Sequence, residues 1–553
     1  MLDDLARKLG LRTNPPIFFA STGLAILFVA VTILFTDQIN DVFSRMTGFI
    51  LSSLSWFYIL GVTVFLGFLI WIAISRYGSV RLGGPDSRPE FSNWAWFAML
   101  FAAGIGTILM FWGVAEPINH YANPPRVPLG FDGSAEEFAG TAAAAKQAIT
   151  FTNYHFALHT WAIFTLPALA FAYFIFRRGL PMRVSSFFYP FLGERIHGPI
   201  GRIIDVTTVL GTLFGLSVSI GLGSAQINSG LSRLFGFDLD GGAVELASQL
   251  GIIVVITAIA IVSVALGLDK GIKRLSNINI LMSIGLLLFV FAVASSPLFL
   301  AKGVVEQTGD YLSNIVSLAF WNDTYAGTGW QDGWTVFYWA WTITWAPFIG
   351  IFIARISKGR TIREFVAGVL GLPTLFSVIW FSTFGLAAFD IERANPGVLV
   401  GPVVEDADIP GALYVFLREL PVAETLSTLV AAIAIVIVAI FFITSSDSAS
   451  LVIDMMCNGD QNTVPPTRQR VFWAVLEGLV ALALIFGAGP AALDALSEVI
   501  TVIGLPFFVM SFFMMAALVV SLREDPDVPG NVVKSPPRSG DETPAPTEST
   551  GSD

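Results

Sequence analysis

Twelve apolar segments, each long enough to cross a lipid bilayer, follow one another along the chain with short polar connections between them. A spanning helix needs about 20 consecutive residues that are mostly apolar. The predicted spans cover residues 16–36, 54–75, 94–115, 148–176, 203–234, 247–268, 277–301, 334–356, 363–389, 424–456, 471–488 and 493–521. The pattern predicts an all-α polytopic membrane protein, with a lead of residues 1–15 and a twelve-helix domain over residues 16–521.

The distribution of Lys and Arg supports these spans and gives an orientation. An even number of spans places both termini on the same side of the membrane. With a cytoplasmic N-terminus, 23 of the 30 Lys and Arg residues fall in cytoplasmic segments and seven in outside segments. Basic residues are enriched in the cytoplasmic loops of membrane proteins. The sequence therefore predicts a multi-pass protein of the cell (plasma or inner) membrane with both termini in the cytoplasm.

Composition excludes a soluble globular protein. The chain is 54% hydrophobic and 13% charged, and soluble domains carry about 25% charged residues. The net charge is −11 and no long basic run is present, which argues against a nucleic-acid partner. Residues 303–325 read as an amphipathic helix on the membrane surface. Residues 524–553 are rich in Pro, Ser, Thr, Asp and Glu, which predicts a disordered cytoplasmic tail.

A column of aromatic residues occupies one face of the predicted eighth span, residues 334–352. Its members follow one another at steps of four, four, three and four residues: Phe337, Trp341, Trp345, Phe348 and Phe352. That spacing places the rings on one side of a helix. No charged residue lies in the stretch. The column is either dense core packing or a surface that holds a cation against aromatic faces.

The third span carries a glycine-containing run, FAAGIGTILMFWG, at residues 101–113. Gly104 and Gly106 lower the helix propensity in the middle of the membrane. Irregular backbone at that depth occurs only where it is buried in protein or lines a wet cavity. The run is either a broken helix whose free backbone groups bind ions or substrate, or a site of close helix packing.

The tenth span ends in a hydroxyl-rich run, FFITSSDSAS, at residues 441–450. Hydroxyl and carbonyl oxygens are suitable ligands for Na⁺, although Ser and Thr also bond back to their own helix. Asp447 is an ionisable group within a span, which marks a functional candidate. We interpret it as a carboxylate that organises the hydroxyls rather than as an ion ligand. Glu477 and Glu498 are interpreted as structural pairing residues.

The fourth span combines aromatic residues with two histidines, His155 and His159. Their i, i+4 spacing suits a metal, but no acidic residue or cysteine lies nearby in the sequence, so we expect no metal there. A membrane enzyme needs a nucleophile, a metal cluster or an acid–base pair facing a cavity. The sequence offers none of these, and we expect neither an enzyme nor a bound cofactor.

Several motifs together resemble the betaine/choline/carnitine transporter family, over residues 16–521. They are YWAWTITWAPFIG (338–350), FAAGIGTILMFWGVAEP (101–117), GLGSAQINSG (221–230), LGLDKGIKRLSNIN (266–279), ARISKGRTIREF (354–365) and FFITSSDSAS (441–450). The resemblance implies a LeuT-type core of two inverted five-helix repeats after two leading helices. Repeat one would cover residues 94–301 and repeat two residues 334–521. It also implies a homotrimer with the surface helix at the interface.

The resemblance further implies sodium-coupled uptake of a quaternary-ammonium or zwitterionic solute such as glycine betaine, ectoine or carnitine. The implied solute-binding residues are Trp341, Trp345, Trp161, Phe156, Phe164, Phe337, Gly104 and Gly106. One sodium ion would be bound by the backbone carbonyls of Ala102 and Ile105 with the hydroxyls of Thr444 and Ser445. A second sodium site would involve Thr212 and Phe348.

The sequence departs from the family pattern at positions that bear on the solute and the ions. Ile108 stands at the third glycine of the betaine-type run, and Thr342 stands where a further Trp is expected. Phe156 and Phe164 replace a Trp and a Tyr, and Leu216 offers no oxygen to the second sodium site. The alternatives are a sodium-independent exchanger of the same family or, in another class, a membrane sensor or a channel.

Overall fold

The computed structural model describes residues 2–101, 106–128, 131–237, 239, 242–266, 269–459, 465–489 and 492–531. These residues are almost entirely helical, and no strand occurs among them. The helices are α1 (Leu2–Lys8), α2 (Pro15–Leu34), α3 (Thr36–Ile74), α4 (Asn93–Phe101), α5 (Gly106–Ala122), α6 (Ala135–Phe138), α7 (Ala142–Phe156), α8 (Leu158–Phe171), α9 (Tyr189–Leu192), α10 (Pro199–Phe235), α11 (Gly242–Ala265), α12 (Asp269–Val293), α13 (Pro297–Ala319), α14 (Phe337–Ile356), α15 (Ile362–Ala394), α16 (Ala412–Arg418), α17 (Glu424–Asn458), α18 (Thr467–Ala488) and α19 (Ala492–Arg523).

Eleven helical segments of the described chain are long and apolar enough to cross a membrane, and each corresponds to a predicted span. This confirms an all-helical, polytopic membrane protein. The remaining predicted span, residues 94–115, falls on α4 and α5. Residues 102–105, which separate these two helices, lie outside the described part of the chain.

The amphipathic helix α13 begins earlier than predicted. It starts at Pro297 rather than at residue 303, and the preceding helix already ends at Val293. Proline is favoured in the first turn of a helix, where its missing N–H leaves no bond unmade. Lys146 at the start of α7 forms an ion pair of 2.8 Å with Asp310 of α13. The surface helix is thereby tied to the helix that leads to the fourth predicted span.

The described ends of the chain lie on the same face of the bundle. Near the N-terminus, the amide N–H of Arg12 donates to Gln469 Oε1 at 2.7 Å. Beyond α19, Asp525 pairs with Arg177, whose guanidinium also donates to the carbonyl of Gly83 at 3.1 Å. The amide of Met182 in turn donates to the carbonyl of Gly459 at 2.9 Å. These contacts join the connections that the sequence assigns to one side, which agrees with an even number of crossings.

The fourth predicted span is divided between α7 and α8. The division lies at Ala157, whose backbone (φ −102°, ψ −124°) belongs to neither helix. The amide of Leu158, the first residue of α8, donates to the hydroxyl of Tyr311 at 3.1 Å. A buried amide without a partner would cost about 1–3 kcal/mol, so Tyr311 stabilises the division. The surface helix α13 thus contacts the backbone beside Phe156.

Candidate solute-binding site

The helices α8 and α14 lie at the centre of the bundle. In the spans Ala142–Arg177 and Asp332–Ile356, 94% of the apolar stretch is buried inside the protein, against 28% in Gly242–Ala265. Lipid can cover an exposed apolar helix, but a helix buried on all sides must pack against protein. The aromatic column of α14 therefore lies inside the bundle and not in contact with lipid.

Two tryptophans of α14 share one polar partner on α10. The indole N–H groups of Trp341 and Trp345 donate to Ser219 Oγ at 2.9 and 3.0 Å. The Trp345 indole also approaches the carbonyl of Gly215 at 3.3 Å, and Ser219 donates to the same carbonyl at 2.9 Å. Both rings are thereby fixed on the same side of α14. The sequence analysis did not identify Ser219 because it lies more than 100 residues from either tryptophan.

Gly215 allows α10 and α14 to approach closely at this point. A Cβ atom added there would overlap the side chain of Thr344 on α14. Any larger residue would push α10 away and lengthen the bonds that Ser219 makes. The glycine therefore sets the distance at which one serine can reach both tryptophans.

The other predicted binding residues are buried but are distributed among several ring clusters. Phe337 stacks on Trp341, with ring centroids 5.9 Å apart and planes 18° apart. Phe164 lies edge-on to Trp161 at 5.6 Å. Phe156 stacks on Phe381 of α15 at 4.6 Å. Among the described ring contacts, Phe156 packs on His155, Tyr338 and Phe381 and makes none with Trp341 or Trp345.

Trp161 and Gly106 line one small cavity, to which α12 and α15 also contribute walls. Its walls also include Leu109, Trp380 and Phe441. A Cβ at Gly106 would overlap the ring of Phe441, so the glycine permits the close approach of α5 and α17. The Trp161 indole N–H is buried with no hydrogen-bond partner among the described residues. It is therefore available as a donor to a bound molecule. The predicted residue Gly104 lies outside the described residues.

The hydroxyl-rich run lies on α17. Thr444 and Ser445 are half-buried, and the Thr444 hydroxyl donates to the carbonyl of Ile440 at 2.8 Å. A hydroxyl that donates its proton to its own helix still offers an oxygen lone pair to a cation. The other two predicted ligands, Ala102 and Ile105, lie outside the described residues, so this part of the ligand set stays a prediction.

The buried acids near this run make structural contacts. Asp447 lies 3.2 Å from Arg470 of α18, in an ion pair that is buried on both sides. Glu477 accepts a hydrogen bond of 2.8 Å from Ser446. Glu477 thus contacts a hydroxyl of the run. Both acids tie α17 to α18.

At the second predicted ion site, the hydroxyl oxygen of Thr212 is available to bind an ion. Thr212 Oγ1 is buried and has no hydrogen-bond partner among the described residues. Thr212, Gly215 and Ser219 lie at helical steps of three and four, so Thr212 shares the face of α10 that meets α14. Phe348 is buried and packs edge-on to Trp345 at 5.9 Å. Leu216 is buried as well and offers no oxygen.

The expectation that no acidic residue lies near the histidines was wrong. Glu116 of α5 lies 2.7 Å from His155 Nδ1 and 3.2 Å from His120 Nε2. His159 does not share this cluster, because the helix is interrupted at Ala157 and the His159 ring stacks on Trp339. The i, i+4 pair Glu116 and His120, directly after the third predicted span, was the signal in the sequence.

The helix segments that carry the tryptophans and most of the predicted ligands contain no formally charged side chain. Residues 106–115, 158–171, 209–230, 337–354 and 430–446 contain no Lys, Arg, Asp or Glu. A net charge at the middle of a membrane is costly. A neutral site with tryptophan faces and a few hydroxyls and carbonyls suits a molecule without net charge that carries a diffuse cation.

Comparison with known proteins gives the family. The sequence model described as "BCCT, betaine/carnitine/choline family transporter" matches residues 16–527. The ectoine/glycine betaine/proline transporter EctP of Corynebacterium glutamicum is 46% identical over 519 residues, which cover 94% of this chain and 81% of EctP. A glycine betaine transporter of Acinetobacter baylyi is 39% identical, with 93% of this chain and 74% of the relative covered.

A third relative is the glycine betaine/proline/choline transporter of Vibrio parahaemolyticus, which is 39% identical over 93% of this chain and 91% of its own length. The match with the family covers nearly all the helices described above, including those that carry the tryptophans and the hydroxyl-rich run. The chain belongs to the betaine/carnitine/choline family of membrane transporters.

Proposed function

We propose that this transporter imports a zwitterionic quaternary-ammonium or related compatible solute, of the glycine betaine or ectoine type, by sodium symport. The observation that carries the proposal is the pair Trp341 and Trp345, buried at the centre and held by one serine on helix segments without charged side chains. The names of the relatives, which include glycine betaine, ectoine and proline, support the same class of solute.

The cationic head of the solute would lie against the tryptophan faces. A desolvated cation gains about 0.5–2 kcal/mol from each aromatic ring, so two or three rings hold a methylated ammonium without a fixed negative charge. The Trp161 indole, which has no partner among the described residues, is a further contact for the solute. The carboxylate would face the glycine-containing segment at Gly104 and Gly106, where backbone amides are the available donors.

Sodium would supply the driving force. In the proposal, Thr444 and Ser445 bind one ion together with the carbonyls of Ala102 and Ile105. Each ion that enters down a potential of 100 mV supplies about 2.3 kcal/mol. This corresponds to a solute gradient of roughly fifty-fold, before the concentration gradient of the ion is added. A second ion at Thr212 and Phe348 would square that factor.

The proposal includes an orientation and an assembly. The face that carries both described chain ends and most of the basic residues would be cytoplasmic, in the cell membrane. A homotrimer would form through the surface helix α13. Val305, Leu312 and Val316 on this helix are exposed in the single chain, which gives it an apolar surface for a neighbouring copy or for lipid.

The test is uptake of labelled glycine betaine, ectoine, proline, carnitine and choline into proteoliposomes, with sodium or potassium outside. We expect accumulation of one or more zwitterions that requires sodium and that choline inhibits weakly. Thr444→Ala and Ser445→Ala should raise the sodium concentration needed for half-maximal uptake. Uptake that needs no sodium and is unchanged in both variants would refute sodium coupling and favour a solute exchanger.

The tryptophan site has a separate test. Trp345→Leu should raise the KM for the transported zwitterion, because a ring face and the bond to Ser219 are both lost. Trp71→Leu is the matched control, since Trp71 is a partly exposed tryptophan of α3. An unchanged KM in Trp345→Leu would refute the assignment of the aromatic site.

A further inference from the structure

A cluster of three ionisable side chains lies apart from the tryptophan site. Glu116 and His120 come from α5, and His155 comes from α7. All three are buried, and the ligand atoms that they offer lie within 4.8 Å of one another. Glu116 and His120 lie in the last two turns of α5, whose end at Ala122 faces the outer side in the proposed orientation, and His155 lies at the end of α7 beside Ala157. The chain has only four histidines, and two of them meet here.

The arrangement of the donor atoms suits a transition-metal ion. One carboxylate oxygen of Glu116 lies 2.7 Å from His155 Nδ1 and 3.2 Å from His120 Nε2. Zinc sites with an open position commonly have three protein ligands, of which two imidazoles and one carboxylate are a known set. With bonds of about 2.0–2.2 Å, neighbouring ligand atoms of a tetrahedral site lie about 3.3–3.5 Å apart. The two oxygen–nitrogen distances would lengthen by roughly 0.1–0.8 Å to accept the ion.

The second ring nitrogen of each histidine also bears on whether the cluster can bind a metal. His155 Nε2 lies 2.9 Å from Thr335 Oγ1, at the start of the eighth span. A histidine that binds a metal through one nitrogen usually donates its other N–H to an oxygen, and Thr335 supplies that oxygen. His120 Nδ1 is buried with no hydrogen-bond partner among the described residues. This buried ring nitrogen is therefore free to form a further hydrogen bond.

The charges around Glu116 also favour a cation. The ion pairs of Glu116 in the described part of the chain are with the two histidines alone. A buried carboxylate needs a compensating positive charge. The rings of Trp330 and Trp334 lie 4.9 and 4.6 Å from the His120 ring, and they exclude water from the cluster. Aromatic faces around the histidines favour a positive charge on this cluster.

We propose that Glu116, His120 and His155 form a binding site for one transition-metal dication such as Zn²⁺. Bound metal would join α5 and α7 to each other and, through Thr335, to the start of the eighth span. Any movement that separates these elements would then be opposed. In the proposed orientation, external Zn²⁺ would slow uptake reversibly from the outer end of the bundle.

Direct metal binding is the primary test, because it does not depend on transport. The purified full chain is titrated at equilibrium with Co²⁺, whose visible absorption reports tetrahedral coordination, and Zn²⁺ is then added to displace it. We expect one Co²⁺ per chain. His120→Gln should weaken binding by at least about tenfold, and Glu116→Gln should do the same. His197→Gln, which changes an exposed histidine outside the cluster, is the matched control and should leave binding unchanged.

Thermal unfolding checks that the variants are folded. Saturating Zn²⁺ should raise the Tm of the wild-type chain and of His197→Gln but not that of His120→Gln. The absence of stoichiometric Co²⁺ binding by the wild-type chain, or equal binding by His120→Gln and wild type, would overturn the proposal and leave the cluster as a hydrogen-bonded network. A chain that binds Co²⁺ yet transports none of the tested solutes would refute the proposed function and leave the metal site intact.

Discussion

Ser219 is predicted to control the affinity for solute, although it need not touch the solute itself. Its hydroxyl accepts the indole N–H of Trp341 at 2.9 Å and that of Trp345 at 3.0 Å. Ser219→Ala removes this shared acceptor from a fully buried site. The Trp345 indole keeps the carbonyl of Gly215 at 3.3 Å. The Trp341 indole has no other hydrogen-bond acceptor among the described residues.

The expected loss of solute affinity in Ser219→Ala follows from the one indole N–H that loses its acceptor, that of Trp341. A buried donor without an acceptor costs about 1–3 kcal/mol. If Trp341 can hold its binding position only at that cost, affinity falls by roughly 5- to 150-fold. We expect the lower part of this range, because the ring can turn toward another acceptor. The KM for solute should therefore rise at least about fivefold, and the maximal rate should change less.

The assay is initial uptake of the transported zwitterion into proteoliposomes at saturating sodium, over a range of solute concentrations. Ser217→Ala is the control on the same helix, because Ser217 donates to the carbonyl of Glu477 and contacts neither tryptophan. Ser219→Thr should restore much of the affinity, since it retains the hydroxyl. A KM that is unchanged in Ser219→Ala, or raised equally in Ser217→Ala, would refute the reasoning.

Three further predictions follow from local contacts. Tyr311→Phe leaves the amide of Leu158 without its acceptor and should lower the free energy of unfolding by about 1–3 kcal/mol, measured as a lower Tm in detergent. Gly106→Ala should reduce uptake strongly, because the added methyl group overlaps the ring of Phe441. Burial raises the pKa of the Asp525 carboxyl, but hydrogen bonds from the guanidinium beside it outweigh burial and hold that pKa below its ordinary value. Asp525→Asn should therefore lower the Tm at pH 7, and the difference from wild type should begin to shrink as the pH falls below about 4 and be lost below the depressed pKa, because a carboxyl with a depressed pKa stabilises the fold only while it is ionised.

Each of these predictions has a result that contradicts it. An unchanged Tm in Tyr311→Phe would mean that water or another group serves the amide at the division of the fourth span. Full uptake by Gly106→Ala would show that α5 and α17 separate without loss of function. A Tm difference between Asp525→Asn and wild type that does not shrink at all as the pH falls below about 4 would show that the ion pair is not its source.

Much of the fold was predictable from the sequence, because it depends on local properties. The length of each apolar run, the positions of Lys and Arg and the spacing of the aromatic column are all properties of short segments. They predicted an all-helical membrane protein, and eleven of the predicted spans correspond to helical segments of the described chain that are long and apolar enough to cross a membrane. The spacing alone left open whether the column of α14 is core packing or a binding surface, and only the resemblance to the family implied binding residues there.

The ends of the helices and the burial of each helix face were harder to predict from the sequence. Residues 297–301 continue the hydrophobic run of the seventh span in the sequence, yet they form the first turn of α13. In a membrane, apolar residues face lipid as readily as protein, so hydrophobic periodicity does not distinguish the two surroundings. The sequence of α11 is more apolar than that of the span that contains α14, yet α11 is mostly unburied while α14 is almost wholly buried.

The sequence alone determined the spans, the absence of charged residues from the stretch 334–352 and the one-sided column that contains Trp341 and Trp345. Only the tertiary structure decided what those rings contact. It placed Ser219 between the two indoles, turned Phe156 toward Phe381 and brought Glu116 to His155. The reason is physical, since a hydrogen bond or a ring contact between helices depends on their packing distance and rotation. Neither quantity leaves a periodic signal in the residues of a single helix.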